Sequence, residues 1–361
     1  MSEGAGACEG SPYPTGARER RVGGSGHTGG VTSSRPVRRP LPLTLDGRVD
    51  DVVAVAGAPV VTRNWVSPRA VALGQLVGTF RRGGGDPTCR LGPGGLVRAF
   101  HTPQGPVTLA LRARPTLGRV EAQAWGPGAV WALDQLPTLL GEHDDVEGFA
   151  PHHPLVADAW RRHEHWRVPR SGLVLDALVP AVIEQKVTGK EAFGGFRALV
   201  LRHGAHAPGP YAVQGLRVPP TVAQWLAIPS WDWLKASVDH QRSRTIMAAL
   251  RVAGRLEEAA SLPSEQARAR LRLVPGIGVW TAAEVAQRAL GDADAVSYGD
   301  YHVAKNIGWA LTGSEVDDAG LAELLEPYAG HRYRVQRLLE LAGAFRPRHG
   351  PRMAPRTHLP R

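Results

Sequence analysis

Two cysteines, Cys8 and Cys89, are all that 361 residues contain. Two thiols cannot build a disulfide framework, a four-cysteine zinc site or a four-cysteine iron–sulfur cluster. Long apolar runs are missing too: none approaches the roughly 18 residues that a membrane-spanning helix needs. No apolar h-region marks the N-terminus as a secretory leader. The expectation is a soluble, cytoplasmic protein. Lysine is scarce, with only Lys186, Lys190, Lys235 and Lys305 among 43 basic residues, so arginine carries the formal net charge of +10. Arginine forks fit phosphate, and counterion release rewards a basic protein on a polyanion. An Ala/Gly/Arg/Pro-rich chain also arises from a GC-rich genome, so charge alone does not name a partner.

What is present divides the chain. Residues 1–40 mix Gly, Ser, Pro and Arg without apolar periodicity, and such a segment cannot bury enough surface to offset its chain entropy. Residues 347–361 have the same character, so both ends are expected to be disordered. The cluster Arg35, Arg38, Arg39 reads as a solvated tail, with phosphate contact as the alternative. Residues 41–148 carry strand-like runs, Val52–Ala56 and Val107–Leu111, separated by turns such as Gly92-Pro93-Gly94-Gly95. Arg69–Phe80 and Gly128–Leu140 fit short helices. This is expected to be a small α+β domain without a catalytic constellation.

From 149 to 346 the apolar period changes to about 3.6 residues. Leu173, Leu175, Leu178, Val179, Val182 and Ile183 make one helix face, and the pattern runs on toward Phe193 and Phe196. Further helices are expected over Trp225–Leu234, His240–Arg255, Ser264–Leu273, Val279–Leu290, Tyr301–Leu311, Asp317–Pro327 and His331–Phe345. The fold class is therefore mainly α, an all-helical domain preceded by the small α+β domain.

The chemistry concentrates in one stretch. In Leu271-Arg-Leu-Val-Pro-Gly-Ile-Gly-Val-Trp-Thr-Ala-Ala-Glu-Val285 a helix ends, Pro275-Gly276-Ile277-Gly278 turns tightly, and a second helix starts at once. Glycines allow positive φ and remove Cβ atoms from the approach surface. The freed amides at the second helix start can hold an anion; an ordinary helix connection is the competing account. Downstream, in Ala295-Val-Ser-Tyr-Gly-Asp300-Tyr-His-Val, Asp300 stands at a natural N-cap.

This arrangement resembles the helix–hairpin–helix base-excision DNA glycosylases, in particular the 3-methyladenine type II branch. Pro-Gly-Ile-Gly-Val-Trp-Thr-Ala at 275–282 is similar to that branch's hairpin, and Gly-Asp-Tyr at 299–301 to its catalytic segment. Val182-Ile-Glu-Gln-Lys-Val-Thr-Gly189 resembles the family's strand-wedging turn, and the segment 95–105 weakly resembles the accessory domain that precedes the catalytic core.

The resemblance implies roles residue by residue. Asp300 would be the catalytic carboxylate, stabilising the positive charge that builds on deoxyribose as an N-glycosidic bond breaks; Asp292 and Asp294 are competitors. Pro275, Gly276, Ile277, Gly278 and Thr281 would grip the DNA backbone. Lyase-competent members carry a Schiff-base lysine where this chain has Trp280, which implies a monofunctional enzyme. Trp280 would stack the flipped base, with core packing as its bland alternative, and Tyr301 and His331 would line the pocket. His331 departs from the family's pocket tryptophan, which leaves the lesion open between an alkylated purine and a deaminated or oxidised base.

Gln185 and Lys186 would be the strand wedge, Lys186 being an unusual residue there. Arg332 and Arg334 either reach DNA or are solvated. No metal is expected: His152-His153 and His163-Glu164-His165 lack a ligand spacing. The resemblance allows a monovalent cation at the hairpin backbone and no other cofactor. The expected partner of this expected monomer is double-stranded DNA containing damaged bases, in the bacterial cytoplasm and on the nucleoid; a non-catalytic DNA-binding module is the reading from another class.

Overall fold

The computed structural model describes residues 60–114 and 118–347. The expected strand Val52–Ala56, the residues 1–40 with their arginine cluster, and those beyond Pro347 lie outside the described part. Five strands open it: β1 Val60–Val66, β2 Cys89–Gly92, β3 Gly95–Thr102, β4 Gly105–Arg114 and β5 Arg119–Trp125, with α1 Leu73–Val77 between β1 and β2. They form one antiparallel sheet in the order β1-β5-β4-β3-β2. The expected helix over Arg69–Phe80 is shorter, an α-helical turn followed by a 3-10 turn at Gly78–Phe80. The segment Gly128–Leu140 splits into α2 Ala129–Asp134 and α3 Leu136–Leu139. Pro137, which has no N–H to continue the ladder, explains the break.

Strand alternation serves two cores. Leu96 and Phe100 of β3, with Leu109 and Leu111 of β4 and Val120 and Ala122 of β5, pack on α1, α2 and α3. Their neighbours Val97, Ala99, Ala110 and Trp125 point to the other face. A sheet buried on both sides needs a second cover. The helical half supplies it.

That half runs as α4 Pro154–Arg162, α5 Val174–Ile183, α6 Gly189–His203, a ribbon of β6 Ala205–His206 and β7 Arg217–Val218, then α7 Val222–Leu226, α8 Ser230–Lys235, α9 His240–Arg251, α10 Ala253–Glu257, α11 Ser264–Arg272, α12 Val279–Val285, α13 Val303–Thr312, α14 Asp318–Leu325 and α15 Arg332–Leu341. The ribbon corrects the expectation of an all-helical half. Tyr211, Leu216 and Val218 beside it close over Trp125 and Val97. The Arg217 N–H donates to the Pro87 carbonyl at 2.8 Å, and the Thr108 hydroxyl to that of Pro208 at 2.7 Å.

Three expected helices of this half break, His240–Arg255 dividing at Val252 into α9 and α10. The pattern from Leu173 toward Phe196 is interrupted after Ile183, where Lys186 takes φ 54°. Thr188 then caps α6 with a reciprocal Thr188–Glu191 capping box. Trp225–Leu234 divides into α7 and α8 around Pro229, for the same reason as at Pro137. Helix α5 is the centre of the helical core: all but two of its residues are buried, among α6, α9, α11 and α12. Among the described residues no helix is long and apolar enough to cross a membrane.

Arg334 joins α15 to the segment after α3. It is fully buried, and its Nη1 and Nη2 both donate at 2.8 Å to Asp144, whose side chain is 4% exposed. Its Nη2 also donates to the Asp145 carbonyl at 2.8 Å. A buried charge stripped of its partner is costly. Arg334→Met is therefore expected to lower stability by about 3–5 kcal/mol through the abandoned Asp144 carboxylate. Urea unfolding at neutral pH measures this, and a loss below about 1 kcal/mol would show that the pair does not hold these elements together.

Candidate active site at a hairpin and an aspartate

Helix α11 ends at Arg272, and Val274-Pro275-Gly276-Ile277-Gly278 reverses the chain into α12. Val274 and Ile277 are buried and point into the helical core, and the Ile277 N–H donates to the Val274 carbonyl at 3.0 Å. These two anchors push Pro275, Gly276, Gly278 and Val279 outward. Gly276 takes φ 90°, and a Cβ there would lie 2.1 Å from the Thr245 hydroxyl of α9. Only glycine fits that position. No side chain caps α12, so its first amides keep free N–H groups at the surface. Leu273, 81% exposed, and Val279, 46% exposed, flank them.

The expected wedge residues diverge. Gln185 does not project from the turn: its Nε2 donates to the Gly276 carbonyl at 3.0 Å and to the Thr281 hydroxyl at 2.8 Å. Thr281 is itself buried, so it braces the hairpin from beneath. Lys186 alone stands exposed at the tip of the turn. A monovalent cation on the hairpin backbone would share the Val274 and Gly276 carbonyls with the Ile277 and Gln185 donors.

Across α12, the segment after Leu290 carries three aspartates. Asp292 is buried and paired with Arg268, and it accepts the Asp294 N–H at 2.9 Å. Asp294 accepts the N–H groups of Gly330 and Arg332 and pairs with the Arg332 guanidinium at 2.6 Å. Asp300 differs. Its Oδ2 accepts the Trp280 indole N–H at 3.2 Å, and its Oδ1 accepts the amides of His302 at 2.7 Å and Val303 at 3.1 Å. The helix expected from Tyr301 begins at Val303 with His302, not Asp300, at its N-cap, though Asp300 Oδ1 still accepts the first helical amide. Asp300 is thus oriented by neutral donors and a helix N-terminus, half-buried and without an ion pair among the described residues.

The expected pocket residues are placed in three settings. Trp280 is at Asp300, joined through its N–H. Tyr301 is 68% exposed, with its ring against His302 and the Lys305 ammonium 4.3 Å from its centroid. His331 sits apart. Its Nδ1 accepts from Arg334 Nε at 3.2 Å, its Nε2 lies 3.2 Å from the Glu147 carbonyl, and its ring meets Phe149 edge-on. Both ring nitrogens are committed there. Arg332 and Arg334, read as DNA-facing or solvated, are instead the Asp294 and Asp144 partners.

A buried network not singled out in the sequence fixes the Asp300 loop to α12. Glu284 accepts the Ser297 hydroxyl at 2.6 Å and the Arg288 guanidinium at 2.7 Å. Gln287 donates to Ser297 Oγ at 2.8 Å and to the Ala295 carbonyl at 2.7 Å. The Ser297 carbonyl in turn accepts the Asp300 N–H at 3.1 Å. On the far side the Gly299 N–H donates to Asp318 at 2.8 Å. The signal in the sequence was Glu284 and Arg288, an i,i+4 pair on an otherwise apolar helix. Burial works to raise the Glu284 carboxyl, but Arg288, the Ser297 hydroxyl and Arg82 together hold it below its ordinary value.

No family model matches the chain, and no curated protein matches it by sequence. Solved structures do. The 3-methyladenine DNA glycosylase of Archaeoglobus fulgidus superposes with a TM-score of 0.64 at 17% identity, over 78% of this chain and 98% of that one. The 8-oxoguanine glycosylase/lyase of Clostridium acetobutylicum gives 0.57 at 13% identity in its apo form, over 78% of this chain and 95% of that one. Its complex with DNA containing cytosine opposite 8-oxoguanine gives 0.55 at 12%, over 79% and 96%. This chain has the fold these enzymes share.

Two outcomes follow from the geometry. Gly276→Ala forces a Cβ onto Thr245 at a positive φ and is expected to cost about 1–3 kcal/mol in thermal or denaturant unfolding; an unchanged midpoint would refute the contact. Glu284 gives the acid behaviour. Because its folded-state carboxyl lies below the ordinary 4.5, its contribution is complete above that pH and is lost as pH falls through the lowered value. Glu284→Gln should therefore be less stable than wild type at pH 7 and lose less on acidification below 4.5. Parallel pH dependences in the two proteins would contradict the assignment.

Proposed function

We propose that this chain is a monofunctional DNA glycosylase that hydrolyses the N-glycosidic bond of an alkylated purine in duplex DNA. The observation that carries the reading is the Trp280–Asp300 pair behind the hairpin: an oriented, half-buried carboxylate within a fold shared with DNA glycosylases. As the C1′–N bond breaks, its electron pair leaves with the base and the sugar becomes oxocarbenium-like. In this reading Asp300 stabilises that charge and accepts a proton from the attacking water. Its three N–H donors hold the carboxylate fixed while the charge develops.

By the hairpin resemblance Trp280 occupies the position of the Schiff-base lysine of lyase-competent enzymes, so in this reading the sugar is attacked by water and the strand is left intact at an abasic site. With its N–H spent on Asp300, the indole still offers a ring face to a base, a contact worth about 1–3 kcal/mol. Extrusion costs a few kcal/mol and least for a damaged pair. Alkylation at N3 or N7 makes the purine a cationic leaving group, which suits a site whose described acid is one carboxylate. The hairpin resemblance and the likeness to the Archaeoglobus enzyme support that lesion class. The free amides of α12, the exposed Leu273 and Val279, and Lys186 at the tip of its turn form the surface that would grip and part the strands, and a cation shared at the hairpin carbonyls would brace it.

The test is base release from methylated duplex DNA by wild type and Asp300→Asn, with strand cleavage followed in parallel. Wild type is expected to release 3-methyladenine or 7-methylguanine and leave intact abasic strands. Asp300→Asn should bind DNA normally and turn over about 10²–10⁴-fold more slowly. Equal salt-sensitive binding by both proteins with no release from methylated DNA would overturn the alkylpurine reading. Duplexes carrying uracil, hypoxanthine or 8-oxoguanine then separate a glycosylase of another lesion from a binding module.

A further inference from the structure

We propose that helix α6 and the glycine loop at Gly83–Gly85, which belongs to the β-sheet half, form a second grip on the phosphate backbone of duplex DNA, continuing from the turn after α5. The inference rests on the DNA-binding reading of the hairpin and gives the sheet half a part in it. The loop is docked where α6 begins. Arg82 pairs with Glu184 at 3.2 Å, two residues before Lys186. Gly83 takes φ 73°, and a Cβ there would lie 2.8 Å from the Phe193 ring of α6; a Cβ at Gly85 would lie 2.4 Å from Arg197 Nη1. Glycine thus lets the loop lie flat against the helix. Gly84 and Gly85 are exposed, and a Cβ at Gly84 would meet nothing within 4 Å. The loop's own carboxylate is turned inward: Asp86 is fully buried and accepts the Arg82 and Thr88 amides at 2.7 and 2.8 Å.

Cations line the other side. Lys186, Lys190 and Arg197 are all exposed, and none makes a hydrogen bond or ion pair among the described residues. Lys190 and Arg197 stand seven residues apart on α6. Seven residues are close to two turns, so the pair shares one helix face at a separation of about 10 Å. Lys186, at the tip of the preceding turn, extends the row. The neighbouring carboxylates are engaged elsewhere, Glu184 with Arg82 and Glu191 in the capping box with Thr188. Phosphates of one DNA strand succeed each other about every 3.4 Å along the duplex axis, so the α6 pair alone spans about three base-pair steps.

The chemistry of the face selects the partner. None of the exposed large hydrophobic residues lies on it. A protein partner is held by aromatic or apolar anchors at the centre of the interface, and this face offers none. Unpaired cations beside an open glycine stretch suit phosphates instead, which ask for positive charge and close approach and carry no apolar surface. The row also starts at Lys186, beside the Gln185 that is bonded to the hairpin. One duplex can therefore run from the hairpin past the turn onto α6.

The test is binding of the full chain to a duplex of about 20 base pairs carrying a tetrahydrofuran abasic analogue, followed by fluorescence anisotropy over a series of salt concentrations. Lys190→Gln/Arg197→Gln is expected to flatten the slope of log affinity against log salt by about 2, and to weaken binding about ten- to a hundredfold near ~0.1 M salt. Gly84→Asp, which sets a carboxylate in the open loop, should weaken binding by about threefold or more with an unchanged thermal midpoint. Lys235→Gln/Arg112→Gln removes two cations without ion pairs from α8 and β4, and should keep the wild-type slope. An unchanged slope in the Lys190/Arg197 variant, or an equal flattening in the Lys235/Arg112 variant, would overturn the proposal. Base release from methylated DNA by wild type reads the glycosylase assignment separately. Release with equal slopes refutes the second grip alone, and a slope difference without release supports the grip while refuting the alkylpurine reading.

Discussion

The site depends on how firmly the short segment between α12 and α13 is tied down. Beyond a π-helical stretch at Ala286–Leu290 that segment has no regular structure, so its own backbone offers few bonds to fix Asp300. Ser297 substitutes for them. Its hydroxyl is held by Glu284 and Gln287, and its carbonyl receives the Asp300 amide. The same helix, α12, presents Trp280 to the carboxylate one turn before it presents Glu284 to the serine. Hairpin, indole, carboxylate and loop are therefore tied to one helix, the kind of fixed arrangement that a reaction developing charge at the carboxylate would need.

The sheet is coupled to this body through charge as well as apolar contact. Arg288, held by Glu284, also donates to the Thr79 carbonyl at 3.2 Å, and Arg82 from the same region pairs with Glu184 at the head of the turn after α5. Arg98 and Asp176 make a third bridge, between β3 and α5. Three buried arginine contacts thus meet α5 or α12, the helices that end in the wedge turn and begin at the hairpin. A buried ion pair is weak evidence for net stability but strong evidence for one arrangement, because sliding either partner strands a charge. The sheet aligns the helical half from behind.

Much of this was legible as residue pattern. The helices appeared from their apolar period, the hairpin from Pro275 and its two glycines, and Asp300 from its place before a helix. The breaks at Pro137 and Pro229 were written in the proline residues but overridden by the apolar face that continues past them. The ribbon β6–β7 was not legible, since two-residue strands carry almost no alternation. Its reason for existing, the second face of the sheet, lies far away in the sequence. His331 and Arg334 show the same limit: nothing local distinguishes a histidine beside DNA from one wedged against Phe149, or a solvated arginine from one sealed over Asp144.

Sequence alone determined the kinds of residue available at each turn: glycine where the backbone must cross to positive φ, a tryptophan just behind the hairpin, an aspartate just before a helix. Those are local constraints, set by sterics and by the chemistry of single side chains. Tertiary structure decided which of three aspartates stays available, because Arg268 and Arg332 arrive from distant helices to take Asp292 and Asp294. It also turned Gln185 from a probe of the DNA stack into a brace for the hairpin. Such choices depend on which donors and acceptors come within about 3 Å of one another, and only the packed chain sets those distances.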